Sequence, residues 1–419
     1  MKITKSFQSL AVQHLRRMMQ SHLFKRTAMT TLAVNIVLVH AALARGDMST
    51  VYNAAGLRKD LGHAKPGTTI TLAPGSYGNG IWVEKLNGTK KSPIVITGSS
   101  DKHPPLFEGG NEAIHFAECN YITLRNVRVS GCRGNGINAD DGGSYSTPSE
   151  GMVFENVTIE NVGPTGNRDG LKLSGLNSFV VRNCEFSGWG GSAIDMVGCH
   201  NGTIEKCRLR GKEGFSQHTG IQAKGGCENV LIRQNFFKNA GERAINLGGS
   251  TGLKFFRPKL MDYEAKDINV AGNHFVGSMA PIAYVTSINC QVRQNTIINP
   301  EKWVMRILQE QPIDKFQPCQ KGVFECNLIV FDQRVKTAVN IGPNTKPETF
   351  SFKRNAWFCS DGNRRLSLPA KETEGIYQID PDLVNAENHT LQVRSKDPRL
   401  RSVGAHSFDK QNIHANSND

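Results

Sequence analysis

A short pattern recurs along this chain and restricts the fold more than any other feature. At intervals of 22 to 38 residues a β-type run reaches a turn carrying Asn or Cys: "LRN" ending at Asn126, "FEN" at Asn156, "RNC" at Cys184, "EKC" at Cys207, "RQN" at Asn235, "AGN" at Asn273, "RQN" at Asn295, "ECN" at Asn327 and "KRN" at Asn355. An apolar residue stands three places before most of these positions (Val153, Val181, Ile204, Ile232, Val270, Val292), and another follows (Ile159, Phe186, Leu209, Phe237). Short strands punctuated by Gly and Asn at such a period, with no helical stretches between them, are the signature of a solenoid. The expected fold is all-β, a single-stranded right-handed parallel β-helix of about nine to ten rungs. At roughly 4.8 Å per rung it would be about 45 Å long. Stacked Asn side chains can satisfy turn backbone and bond one another as a ladder.

The ends fit the same reading. Residues 50–62, "TVYNAAGLRKDLG", place Val51, Ala54, Ala55, Leu57 and Leu61 at helical spacing, which predicts a helical cap over the first rung. Lys25 and Arg26 precede the apolar run "TLAVNIVLVHAALA", too short to span a bilayer comfortably and closed by small residues Ala42–Leu43–Ala44. Residues 1–44 therefore read as a signal peptide, with a start at Met18 or Met19 giving a leader of more ordinary length and an uncleaved anchor as the alternative. The β-helix is expected over 45–405, with a lateral loop at 253–266, and 406–419 as a polar tail.

The first 44 residues hold six basic and no acidic side chains, so their removal lowers the net charge from +13 to +7. A basic exported chain suits an anionic partner. That partner could be a uronate or sulfated polysaccharide, an acidic cell surface or nucleic acid, and charge alone does not choose among them. With the strip described below, the partner expected is an anionic polysaccharide and not nucleic acid, with no membrane attachment after cleavage and a monomeric state. Ten cysteines in an exported chain ordinarily predict disulfides. Here Cys184 and Cys207 fall in the Asn column and Cys119, Cys199, Cys227 and Cys290 mark another turn, which favours buried free thiols, with a Cys184–Cys207 bridge still open.

The candidate chemistry lies just before each turn, in "GINAD", "GLKLS", "AIDMV", "GIQAK" and "AINLG". If Ile137, Leu171, Ile194, Ile221 and Ile245 point inward, the period of two sends Asn138, Lys172, Asp195, Gln222 and Asn246 outward in one column. Asp140, Ser174, Val197, Lys224 and Gly248 form the next. Such a polar strip can hold an extended polymer, and Phe255, Phe256, Arg257 and Tyr263 are expected either as an aromatic rim beside it or as cover for a core edge. Glycoside hydrolysis needs two facing carboxylates. The strip offers Asp195, with Asp140 several rungs away and Asp169 at a strand start, so a hydrolase is poorly supplied. β-Elimination of a uronate needs a neutralised carboxylate and a base, roles that Lys172, Lys224 and Arg243 can fill. A lysine base must be neutral part of the time, which nearby positive charge and desolvation favour.

The segment "IQAKGGCENVLIRQNFF" resembles that of the family six polysaccharide lyases, the chondroitinase B and alginate lyase group, and "KPGTTITLAPGSY" followed by "GTKKSPIVITG" is similar to that group's first rungs. The resemblance implies a pectate-lyase-like β-helix and makes Lys224 the catalytic base. The sequence departs from the group where Gly248 stands in place of an assisting arginine. The resemblance also implies a possible calcium, but its acidic ligands are not matched: His218, Gln222 and Asn246 stand there, so no metal or other cofactor is expected. Arg243 or Arg306 is the expected replacement for the arginine and Tyr284 a proton source. Plainer readings stand beside these: Lys172–Asp195 as a cross-rung ion pair, His218 as a turn residue, Arg243 as a partner of Glu242 or Glu213, and Asn246 as strip decoration. Three classes remain open: a secreted lyase of an acidic polysaccharide, a hydrolase or uronate epimerase on the same fold, and a non-catalytic β-helix for polysaccharide or cell-surface binding.

Overall fold

The computed structural model describes residues 47–385 and 391–408. The leader expected at 1–44 and residues 409–419 of the expected tail lie outside the described residues. The chain divides into two compact units, Met1–Asp47 and Met48–Asp419, and the second is the body described here.

That body is a parallel β-helix. One ten-stranded sheet takes a strand from each coil in chain order: Ile81–Glu84, Ile114–Ala117, Ile137–Asp140, Leu171–Ser174, Ser192–Val197, Thr219–Lys224, Arg243–Gly248, Ala280–Val285, Met305–Leu308 and Val339–Ile341. Each coil then crosses two further short strands, such as Leu231–Arg233 and Phe236–Lys238, that pair in parallel with their equivalents on the coils before and after. Between those two strands one residue takes a left-handed conformation: Asn183, Lys206, Gln234, Gly272, Gln294, Cys326 and Arg354 all have φ between 51° and 66°. The chain turns a corner there, and the following residue points into the core.

Asn235, Asn273, Asn295, Asn327 and Asn355 occupy that inward position, each 0% exposed. The Nδ2 of Asn273 donates to Asn295 Oδ1 at 2.9 Å and the Nδ2 of Asn295 to Asn327 Oδ1 at 3.1 Å, while each also bonds backbone carbonyls. Cys184 and Cys207 continue the column. Asn126 and Asn156 do not. The registers set Val157 against Val127 and Thr158 against Glu185, so Asn126 and Asn156 belong one place earlier, in the left-handed position, where they bond each other at 2.7 Å. A left-handed Asn and an inward Asn look alike in a repeat because Asn suits both places. All ten cysteines are free thiols, nine of them buried. Burial pushes the Cys207 thiol well above its ordinary pKa, and its hydrogen bond with Cys184 adds to this.

The expected cap is an α-helix over Ala54–Leu61, begun by Asn53, whose side chain accepts from Gly56 N–H, and buried through Leu57 and Leu61 against the first coils. At the other end the chain returns to extended structure as an antiparallel hairpin of Leu383–Asn385 with Leu391–Val393. Residues 405–408 form a helical turn, with the Ser407 side chain buried.

Candidate active site

The ten-stranded sheet carries the polar strip. Its registers align Trp82, His115, Asn138, Lys172, Asp195, Gln222, Asn246, Ala283, Arg306 and Asn340 in one outward column. Asp140, Ser174, Val197 and Lys224 stand in the next. Outward does not mean exposed, because long connections fold back over the strip: Asp195 is wholly buried and Asn246 nearly so.

Four charges meet at the centre. The Lys172 ammonium lies 3.1 Å from Asp169 Oδ2 and also bonds Asp195 Oδ2, while the Lys224 ammonium lies 3.1 Å from Asp195 Oδ1. Asp169 is equally buried and accepts from the Ser192 backbone N–H at 2.8 Å. Burial pushes Asp195 up, but the Lys224 and Lys172 charges overcome this and hold it below the ordinary carboxylate value. Burial and the charge of Asp195 leave Asp169 above that value. For Lys172, burial is outweighed by the two carboxylates, and its ammonium form is strengthened. The pair Lys172–Asp195 is thus a real contact, embedded in a larger network that includes Lys224.

Lys172 and Lys224 line a cleft of about 440 Å³ together with Tyr145, Asn167, Ser174, Val197, Ser250–Gly252, Phe255 and Arg257. One wall is the lateral loop. Arg257 donates to Asp141 Oδ2 at 2.6 Å and lies 4.3 Å over the Tyr145 ring, tying this loop to the one after the third strand of the sheet. Phe255 is 46% exposed at the cleft edge. Phe256 and Tyr263 are instead buried: Phe256 packs on Phe316, and the Tyr263 hydroxyl donates to Glu228. So the expected rim reduces to Phe255 and Arg257, and the other two cover a core edge.

Glu264 fixes the base of the loop. Its carboxylate is 0% exposed and accepts from Gly225 N–H (2.6 Å), Thr251 N–H (2.6 Å), the Thr251 hydroxyl (2.7 Å) and the Gln311 side chain. Gly225 follows Lys224 directly, so these bonds set where the lysine's backbone ends its strand. Gly248 has φ 110°, and a Cβ built on it would lie 1.7 Å from the Val285 carbonyl oxygen. No arginine can stand at that position. The chain bends away there, and the next residue, Gly249, packs beside the Lys224 stem.

The remaining expected residues lie elsewhere. Gln222 is beside Lys224, its Oε1 3.4 Å from the ammonium. Arg243 pairs with Thr219 at the opposite end of the strand from Lys224, a separation of about 16 Å at ~3.3 Å per residue. It bonds Glu310 (2.9 Å) and Asn246 (3.2 Å), so it does not replace the missing arginine next to Lys224. Arg306 bonds Asn340 and lies 5.0 Å over Trp303, farther along the strip. His218 lies in the irregular connection just before the strand Thr219–Lys224, exposed and 4.0 Å from Glu242. Tyr284 corrects an expectation outright: it pairs with Leu247 and Ile307 on the inward face, is 0% exposed, and donates its hydroxyl to the Val323 carbonyl at 2.8 Å. Burial pushes its pKa well above the ordinary value, so it cannot supply a proton to the strip.

The cleft does not fit calcium, which wants six to eight oxygen ligands. Asp169 and Asp195 already hold lysine ammoniums where a cation would stand. Asp141, Tyr145 and Glu264 carried no sequence signal, because nothing in the chain order links Asp141 to Arg257 or Glu264 to Gly225.

A family model described as a right handed beta helix region matches residues 112–297. Among solved structures, a PL6 family polysaccharide lyase from Pseudopedobacter saltans aligns over 85% of this chain and 99% of its own, with TM-score 0.53 and 12% identity. A rhamnogalacturonan lyase aligns over the same shares, with TM-score 0.51 and 14% identity. A pectate lyase aligns over 73% of this chain and 80% of its own, with TM-score 0.50 and 12% identity. No curated protein sequence matches. At these identities the likeness is one of fold, and it makes this chain a right-handed parallel β-helix.

Proposed function

From a right-handed parallel β-helix whose side cleft is lined by two lysines, we propose a secreted polysaccharide lyase that cleaves a uronate-containing polymer by β-elimination. One observation carries this reading. Lys172 and Lys224 line the cleft and are partly exposed, while Asp169 and Asp195, which hold their amines, are wholly buried and do not line it. Two carboxylates that cannot reach a sugar do not support hydrolysis. Amines beside a uronate support proton abstraction. Lys172, held cationic by two aspartates, would neutralise the sugar's carboxylate. Lys224 in its neutral form would take the proton from the adjacent carbon. The electrons of that C–H bond form the new carbon–carbon double bond, the C–O bond to the neighbouring sugar breaks, and the departing oxygen takes a proton from water. Arg243 and Arg306 would hold anionic sugars farther along the strip. The expected partner is the polymer alone, with no metal, and the basic leader is the reason to propose export.

The test is incubation of the purified protein with alginate, chondroitin and dermatan sulfates, pectate and heparinoids, with and without calcium, while recording the ultraviolet absorbance of unsaturated sugars. Product is expected from one of these polymers and is expected to vanish in Lys224→Ala. If none yields unsaturated sugar the lyase reading fails. An epimerase would invert uronates at the same lysine without cleavage. Non-catalytic binding is the second reading, favoured by the ion pairs that hold both lysines. It predicts retention of an anionic polymer without turnover.

A further inference from the structure

At the N-terminal end of the strip, outside the cleft, the first strand of the ten-stranded sheet sets Trp82 outward, 56% exposed. One side of the indole rests on the His115 imidazole, with ring centroids 4.2 Å apart. His115 is itself clamped: Nδ1 lies 3.2 Å from Glu112 and Nε2 2.8 Å from Asp140. Asn138, next in the column, bonds the other oxygen of Glu112. The platform is therefore rigid from below. The rest of the indole is open to solvent, next to groups able to bond hydroxyls: Glu84, which accepts from Trp82 Nε1 at 3.4 Å, and the partly exposed Glu112 and Asp140.

We propose that Trp82, backed by His115 and flanked by Glu84, Glu112 and Asp140, is a subsite for an uncharged sugar residue. An apolar ring face ringed by hydrogen-bond acceptors fits a pyranose, which presents C–H groups on one face and hydroxyls at its edge. The charge selects the class of sugar. Glu84, Glu112, Glu118 and Asp140 outnumber Lys85 and His115 here, so a uronate or sulfated sugar would be repelled. The amines of the cleft lie on the same sheet, with Lys172 three strands away, about 14 Å, and Lys224 on the strand two beyond. A single extended chain can engage both ends. If the functional proposal is right, the substrate is then a heteropolymer with neutral sugars near its uronates. The subsite takes from that proposal only that the strip holds a saccharide.

Binding is measured by calorimetry in the Lys224→Ala protein, which removes turnover, using neutral gluco-, manno-, xylo-, galacto- and N-acetylglucosamine oligosaccharides and, separately, oligouronates. At least one neutral oligosaccharide is expected to bind and to weaken about tenfold or more when Trp82→Ala is added, while oligouronate binding changes less than about twofold. Circular dichroism checks that the exposed substitution leaves the fold intact. The proposal is overturned if no neutral oligosaccharide binds, if Trp82→Ala leaves binding unchanged, or if oligouronates are the ligands that Trp82 holds. A failure to find unsaturated products in wild-type protein would sink the lyase reading and leave this measurement unaffected.

Discussion

Replacing Glu264 by Gln tests whether the buried carboxylate holds the turn that follows Lys224. The change keeps the volume and removes the charge. All four partners of Glu264 donate: Thr251 N–H and Gln311 Nε2 to one oxygen, Gly225 N–H and the Thr251 hydroxyl to the other. A glutamine must turn its NH₂ toward one of these pairs, and each pair contains a backbone N–H that cannot accept, so whichever way the amide points at least one backbone bond to a charged acceptor is replaced by two facing donors. Bonds to charged groups contribute ~1.5–3 kcal/mol each, which gives a loss of at least about 1.5–3 kcal/mol. Because neighbouring coils carry stability locally in a solenoid, that loss should concentrate around the lateral loop. Hydrogen exchange should show the Gly225 or the Thr251 amide exchanging at least about tenfold faster, with the amides of the Leu57–Leu61 cap unchanged, and the cleavage proposed above should fall because Lys224 is no longer fixed. Wild-type protection of Gly225 and Thr251 in the Gln variant would refute the reasoning.

Three further outcomes are expected. Asn295→Ala strands the Asn273 backbone N–H and the Val270 carbonyl in the core and the half-buried Arg293 carbonyl, costing upward of about 3 kcal/mol at ~1–3 kcal/mol per group. Asn156→Gly, at the exposed left-handed corner, should change stability by less than about 1 kcal/mol, so equal losses in urea unfolding would contradict the register. Gly248→Arg, which restores the arginine implied by the lyase resemblance, should destabilise by more than about 2 kcal/mol and raise no activity; a soluble variant of wild-type stability would show that the backbone there is not as described. Burial pushes His115 down, but its bonds and charges with Asp140 and Glu112 leave it above its ordinary value of 6.5. Its contribution to stability is therefore fully present below about 6.5 and is lost as pH rises through the raised folded value. Thermal midpoints of wild type and His115→Gln should converge toward alkaline pH; a gap that widens instead would contradict the pairing.

The coil architecture was legible because parallel stacking forces a repeat into the sequence. Alternation in "GIQAK" and "GLKLS" identified which side chains face outward, and the registers put Lys172, Asp195, Gln222 and Asn246 in one column as expected. Tyr284 was misplaced because "APIAYV" is apolar throughout, so alternation gives it no phase. Asn126 and Asn156 slipped by one place because a single residue type serves two adjacent positions at the corner.

Local periodicity thus determined the coil, the cap, the inward faces and the candidate lysine, for each depends on contacts between residues close in sequence or one repeat apart. Tertiary structure decided the make-up of the candidate site. Only the folded chain closes a cleft by tying Arg257 to Asp141 across 116 positions, buries Asp195 under two lysines, sets Arg243 at the far end of its strand from Lys224, and requires glycine at Gly248. Those features depend on where connecting loops of unequal length fold back over the sheet, and the repeat that specifies the coil carries no record of them.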